Sequence, residues 1–289
     1  MSAQFGIAAP RGATTSAEGD QTLLTDDQLD RIAVRLERMA GIIVDREKRQ
    51  MIHTRISKRL RATGIPDVES YLTDLDKKGD PEELQLFLNA LTTNLTSMFR
   101  EGHHFEHFSG EVVTAARNAR KTRLRIWSAG CSTGEEPYSI ALSILRICNP
   151  IPADYKILAT DLDTAVLAQA ETGVLPPQKV KGIPPDLAAL VRKDPDTGGA
   201  KIPAAAMGAI TFKQLNLNSD WPMKGPFDAI FCRNVMIYFS SETKAALVDR
   251  FARILQPGGF LYLGHSETVL GDHPLLEPIG TTSYRRRSA

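Results

Sequence analysis

Apolar positions recur at helical spacing through the first third of the chain. Thr25 and Gln28 form a capping-box pattern, and Leu29, Ile32, Ala33 and Leu36 follow at helical intervals, which predicts an amphipathic helix. A second helix is expected from about Asp45 to Thr63 with Gly64 as its stop, and a third near Val68–Leu75. Asp80 and Pro81 supply an N-cap and a first-turn proline for a fourth, with Leu84, Phe87, Leu88 and Leu91 on one face. The unit 21–95 is therefore expected to be all helical. Residues 1–20 are small and polar and read as a disordered lead-in.

From about 124 the period changes. LRIWSAG, YKILATDLD, ITFKQLNL, FDAIFCRNV and GGFLYLGHS read as strands, with helical stretches such as EEPYSIALSILRI and TAVLAQAETG between the early ones. Such alternation predicts βαβ units and a parallel sheet. Ser240–Leu255 reads as another helix, closed by a turn at Pro257–Gly258–Gly259, and the tail TTSYRRR as an edge strand. Residues 174–208 hold many of the prolines and a DPDTGG turn, too long and irregular for a simple crossover, so an inserted small subdomain is expected there. The fold class is α/β: a small N-terminal all-helical domain, then a doubly wound, mainly parallel sheet over 124–289.

Composition narrows the function classes. The 289 residues are 42% hydrophobic and 24% charged, as in ordinary globular proteins, which excludes a mainly disordered, collagenous or coiled-coil chain. Net charge is +1, so it argues for no polyanionic partner. Cys131, Cys148 and Cys232 form no CxxC pair, and a reducing cytoplasm is the expected compartment. His103, His104 and His107 fit no zinc pattern, so no metal is expected. No run is long enough for a membrane helix, and the start MSAQFGIAAPRG lacks the features of a signal peptide.

The first strand ends in Ala129-Gly130-Cys131-Ser132-Thr133-Gly134-Glu135-Glu136. Gly130 and Gly134 let the backbone approach a ligand at the crevice of a doubly wound sheet. Ser132 replaces the middle glycine of a dinucleotide fingerprint, and the two glutamates would repel phosphate at the helix start, so a pyrophosphate is disfavoured. They suit a cation or an amino group. The second strand ends in Asp161-Leu162-Asp163: Asp163 fits the N-cap of the next helix, which leaves Asp161 to accept ribose hydroxyls. Adenosine without pyrophosphate, beside acidic groups, points to S-adenosylmethionine.

Four motifs carry a resemblance. NALTTNLTSMFRE (89–101), WSAGCSTGEEPYSIA (127–141), FDAIFCRNVMIYF (227–239) and PGGFLYLGHSE (257–267) closely resemble the chemotaxis-receptor glutamate methyltransferase family. Such enzymes methylate glutamates on the cytoplasmic helical bundle of bacterial chemoreceptors, giving methyl esters and S-adenosylhomocysteine. The resemblance implies that residues 21–95 dock the receptor and that 96–123 form a linker and a helix crossing the cofactor crevice. It also implies cofactor contacts at Asn94, Thr96, Arg100, Gly130, Gly134, Asn216, Leu217, Arg233 and Asn234, with Glu136 at the methionine ammonium and Asp161 at the ribose. Arg100 also orients the acceptor carboxylate, and Tyr238 sits near the methyl group. On the second helix, Lys48, Arg55, Lys58, Arg59 and Arg61 gather opposite the stripe Ile52, Ile56 and Leu60. Relatives dock an acidic receptor helix on such a face, although a merely solvated face has the same pattern. Some relatives also hold a receptor's C-terminal peptide on the inserted subdomain. The prolines of 174–208 argue that this chain lacks that tether. A monomer is expected.

Other readings remain open at this point. Gly130-Cys131-Ser132-Thr133-Gly134 formally matches a hydrolase nucleophile elbow, with His265 later in the chain. A methyltransferase for nucleic acid is disfavoured because Arg233-Asn234-Val235-Met236 replaces an Asn/Asp-Pro-Pro-aromatic turn and no aromatics interleave the basic face. The remaining alternatives are a non-catalytic S-adenosylmethionine sensor and a methyltransferase for another carboxylate.

Overall fold

The computed structural model describes residues 23–288, so the lead-in expected at 1–20 lies outside the described residues. Four helices come first: α1 (Asp26–Ala40), α2 (Arg49–Thr63, after a single 3-10 turn at Arg46–Lys48), α3 (Val68–Lys78) and α4 (Pro81–Leu91). Their ends lie where the sequence places caps. Thr25 and Gln28 close the capping box of α1, Asp80 and Pro81 begin α4, and Gly64 ends α2 in the left-handed region. Leu29, Ile32 and Leu36 bury against Ile52, Ile56, Tyr71 and Phe87 in one apolar cluster.

A helical stretch follows, α5 (His103–His107), a π-helical segment (Phe108–Thr114) and α6 (Ala115–Asn118). The α/β part then runs β1 (Leu124–Ala129), α7 (Glu135–Ile147), β2 (Tyr155–Asp161), α8 (Thr164–Glu171), β3 (Val174–Leu175), α9 (Pro177–Val180), α10 (Pro185–Ala188), β4 (Arg192–Lys193), β5 (Ala200–Lys201), α11 (Ala204–Met207), β6 (Ile210–Gln214), β7 (Phe227–Cys232), α12 (Ser241–Ile254), β8 (Leu255–Leu263), β9 (Leu276–Gly280) and β10 (Ser283–Arg286). The main sheet has the order β6-β2-β1-β7-β8-β10-β9, parallel from β6 to β8 and antiparallel at β10 and β9. The chain order reverses across β1, and the crevice outside its C-terminal end is where such sheets bind ligands. β7 is buried at every position, as a central strand covered on both faces must be.

Two expectations at the C-terminal end are corrected. Pro257–Gly258–Gly259 is not a turn: α12 passes directly into β8, which bulges there, its register with β7 shifting between Phe227 and Ala229. A Cβ on Gly259 would lie 3.1 Å from the carbonyl oxygens of Phe227 and Asp228, so glycine admits the close approach. The strand from TTSYRRR is inner rather than edge, because β9 pairs outside it. β9 reads LEPIG, too short and proline-broken to signal a strand; Pro278 is tolerated on an edge, where one side of the backbone has no partner.

The helical stretch 103–118 is also placed differently from expectation. Phe105 stacks on Phe231 at 5.7 Å and Phe108 meets the same ring edge-on at 5.5 Å, so it lies on the sheet face. None of its residues lines the crevice; the loop before it does. His104 is buried and within 3.1 Å of Thr282 Oγ1, and His107 Nδ1 is 2.9 Å from the Tyr262 hydroxyl, so both serve packing.

Candidate active site

A crevice opens at the C-terminal ends of β1, β2 and β7. The loop after α4 covers it with Asn94, Thr96 and Arg100. Gly130, Glu136 and Asp161 line its floor, Arg233, Asn234 and Tyr238 the end beyond β7. Asn216 and Leu217, with Leu215, Leu162 and Phe239, supply a largely apolar wall. The end of α1 adds Ala40, and Ile42 beyond it, so the helical part completes the site. Of the cofactor and catalytic residues expected from the sequence, all but Gly134 thus line one crevice.

Gly134 does not line the crevice. It is the left-handed N-cap of α7, and a Cβ there would lie 2.5 Å from the Tyr138 ring, so it serves the turn and not the ligand. Glu135 likewise turns away. It is buried in an ion pair with Lys179 of α9 and accepts from Thr133 Oγ1 at 2.6 Å, tying the inserted segment to the β1–α7 turn.

The two remaining carboxylates are held firmly. Asp161 accepts from the Ser132 N–H at 2.8 Å and the Asp163 N–H at 3.0 Å, one bond on each oxygen. Burial pushes its carboxyl above the ordinary range despite those bonds. Asp163 caps α8 through the Ala165 and Val166 N–H groups and accepts from Asn94 Nδ2 at 2.8 Å, so it anchors the covering loop. Glu136 accepts from Ser128 Oγ at 2.7 Å and lies 3.3 Å from Arg233. Burial raises its carboxyl too, outweighing the arginine.

Backbone strain gathers around these groups. Phe99, Glu101, Ser132 and Asn234 all have φ near the left-handed region, at +50°, +55°, +48° and +60°. Asn234 is held by Glu267, a buried carboxylate that accepts from the Asn234, Gly264 and Ile237 N–H groups at 2.8, 2.7 and 3.1 Å. Sequence reading missed Glu267 as the support of Asn234, although it closes the PGGFLYLGHSE motif. It also missed Ile42, which the docking of the helical part brings to the crevice, and Leu95, which stands exposed on the covering loop between Asn94 and Thr96. Ser132 is no nucleophile paired with histidine: its hydroxyl donates to the Asn94 carbonyl at 3.0 Å, while His265 stands exposed beside Glu101.

The basic face of α2 is only partly free. Arg55 donates to the Leu91 and Thr92 carbonyls at 2.8 and 2.6 Å, satisfying the open C-terminus of α4. Arg59 pairs with Glu83 at 2.5 Å, and Tyr71 donates to the same glutamate at 2.6 Å. Both arginines therefore brace the helical part from inside. Lys58 and Arg61 remain exposed.

The donor set suits S-adenosylmethionine. A buried acidic group for an ammonium, a carboxylate with spare lone pairs for ribose and an apolar wall for a purine share one crevice. Comparison with known proteins agrees. The CheR methyltransferase SAM binding domain matches residues 94–285, and the CheR methyltransferase all-alpha domain matches 27–92. Chemotaxis protein methyltransferase 2 of Pseudomonas aeruginosa is 40% identical over 90% of this chain and 93% of its own length. The chemotaxis protein methyltransferases of Salmonella typhimurium and Escherichia coli are 38% and 37% identical, covering 84% and 86% of this chain and the same shares of their own. With both domain profiles matched in order and relatives aligned over most of its length, the chain belongs to the CheR methyltransferase family.

Proposed function

We propose that this chain transfers methyl groups from S-adenosylmethionine to glutamate side chains on the cytoplasmic helical bundle of chemoreceptors. The products are glutamate methyl esters and S-adenosylhomocysteine. The protein works in the cytoplasm as a monomer, without metal, nucleic acid or membrane insertion. The observation that carries this reading is the meeting of Glu136 and Asp161 with Arg100 and Tyr238 in one crevice.

A glutamate carboxylate is already an anionic nucleophile at neutral pH, so no general base is needed. When bound, S-adenosylmethionine supplies an electrophilic methyl carbon: the acceptor oxygen forms the new bond, the carbon–sulfur bond breaks, and its electron pair stays on sulfur. The protein's part is to hold and align. Glu136 takes the ammonium and Asp161 the ribose hydroxyls. Asn216 and Leu217 lie beside the adenine, and Asn94, Thr96, Gly130, Arg233 and Asn234 complete the cofactor contacts. Arg100 and Tyr238 are the catalytic residues, orienting the acceptor carboxylate. Arg100 is held through its donation to the Leu95 carbonyl at 3.1 Å. Alignment of this kind lowers a barrier by up to ~7–11 kcal/mol. Lys58 and Arg61 carry the receptor docking, with Arg55 and Arg59 fixing the helix that presents them. Incubation with tritiated S-adenosylmethionine and receptor fragments tests the proposal. Label released by mild alkali is expected; label that resists it would exclude the ester.

A further inference from the structure

Arg233 sits at the end of β7 with its side chain 2% exposed, between two carboxylates. One is Glu136, at 3.3 Å from Nη1; the other is Glu101, at 3.4 Å from Nη2. Arg233 also donates to the Arg100 carbonyl, and so ties the covering loop to the floor of the crevice. Glu101 does not line the crevice. Its backbone is left-handed, at φ +55°, and its side chain is largely buried. Neither carboxylate oxygen has a hydrogen-bond partner. Arg233 is the nearest cation. His104 and His265 lie 3.6 and 3.9 Å away and Arg100 4.0 Å. Burial and Arg233 hold His104 neutral, its pKa down to about 3, so it adds no charge.

Two carboxylates thus flank the enclosed guanidinium of Arg233, while the more exposed Arg100 stands at the outer side of Glu101. If Arg233 had Glu136 alone as its counter-ion, a ligand ammonium would have to compete with it for that carboxylate. A buried guanidinium left without a partner is costly. With Glu101 on its other side, Arg233 keeps a counter-ion while Glu136 turns to the ligand ammonium. We infer that Glu101 is a positioning residue for the cofactor: it balances Arg233 and so leaves the Glu136 carboxylate available to the amino group of S-adenosylmethionine. This rests on the cofactor contacts given under Proposed function.

Calorimetry with two ligands tests it. S-adenosylhomocysteine carries the ammonium; 5′-methylthioadenosine has the same adenosine and sulfur but lacks the amino-acid end. Glu101→Gln is expected to weaken S-adenosylhomocysteine by about tenfold or more, about 1.4 kcal/mol, and to leave 5′-methylthioadenosine unchanged. Glu101→Asp, which keeps the charge, is expected to recover most of the loss, and this holds the test even if the glutamine variant is poorly folded. Equal loss of both ligands in Glu101→Gln and Glu101→Asp would mean a merely structural role and overturn the inference, as would undiminished S-adenosylhomocysteine affinity in Glu101→Gln. Wild-type protein that binds neither ligand would overturn the cofactor assignment itself, and the inference with it.

Discussion

Asp161 shows how one residue can be both scaffold and ligand contact. Each of its oxygens already accepts one backbone N–H, from Ser132 and from Asp163, which fixes the carboxylate plane and leaves a lone pair on each oxygen. Asp161→Ala is expected to weaken S-adenosylhomocysteine by about 1–3 kcal/mol in a calorimetric titration, through lost charged hydrogen bonds. Unchanged affinity would remove the ribose assignment. Asp161 and Glu136 both have carboxyls raised by burial, so they protonate at higher pH than exposed carboxylates. S-adenosylhomocysteine affinity is accordingly expected to decline as the pH is lowered, starting above the ordinary carboxylate range. Full affinity retained at pH 4.5 would overturn this, because a carboxyl titrating at or above its ordinary value is at least half protonated there. For stability the sign runs the other way. Groups whose folded pKa is raised disfavour folding while ionised, and that penalty fades as the pH falls through the folded pKa toward the unfolded one.

Among the elements, α2 divides its basic residues by reach. Arg55 and Arg59 curl onto α4, whereas Lys58 and Arg61 point to water. Reversing Lys58 and Arg61 to glutamate is expected to impair methylation of receptor fragments, to make what remains less salt-sensitive, and to leave S-adenosylhomocysteine affinity intact. Arg59→Ala is expected instead to lower stability in urea by about 1–2 kcal/mol, because it removes the partner of a largely buried Glu83 while Tyr71 still donates to it. Loss of cofactor affinity in the Lys58 and Arg61 variant would mean that the helical part had been disrupted. The two classes of arginine were not separable in the sequence, since the carbonyls that Arg55 meets belong to residues 36 and 37 positions away. Helix boundaries were legible because capping is local: Thr25 with Gln28, Asp80 with Pro81, and Gly64 each act within a turn of themselves. β9 and the bulge at Gly258 and Gly259 were not, because a short edge strand and a bulge exist only through their partners.

At the scale of the whole molecule, the crevice is assembled from segments that the sheet order brings together, and helix α1 is fastened to it. Asn216 Nδ2 donates to the Met39 carbonyl at 2.6 Å and Asn218 Nδ2 to the Ala40 carbonyl at 2.5 Å, capping α1 from the far domain. Motif order revealed most lining residues, while contacts such as Ile42 needed this docking. The inserted segment packs Leu175, Ile183, Leu187 and Ile202 into the main core, and its form bears on how the receptor is found. It contains a small antiparallel sheet, β3-β5-β4, whose strands are two residues each. A peptide held by strand addition needs a run of free N–H and C=O groups along an edge. Here the edges are Val174–Leu175, followed at once by Pro176, and Arg192–Lys193, followed by Asp194 and Pro195. Each edge ends before a second pair of ladder bonds can form on the same register, and proline supplies no donor beyond it. The enzyme is therefore expected to find its receptor through α2 without a C-terminal peptide tether. Titration with such a peptide should release no heat at millimolar concentration, and a tail-truncated receptor should be methylated as fast as the intact one. Saturable binding tighter than ~10 μM, about −7 kcal/mol, would show instead that these short edges suffice.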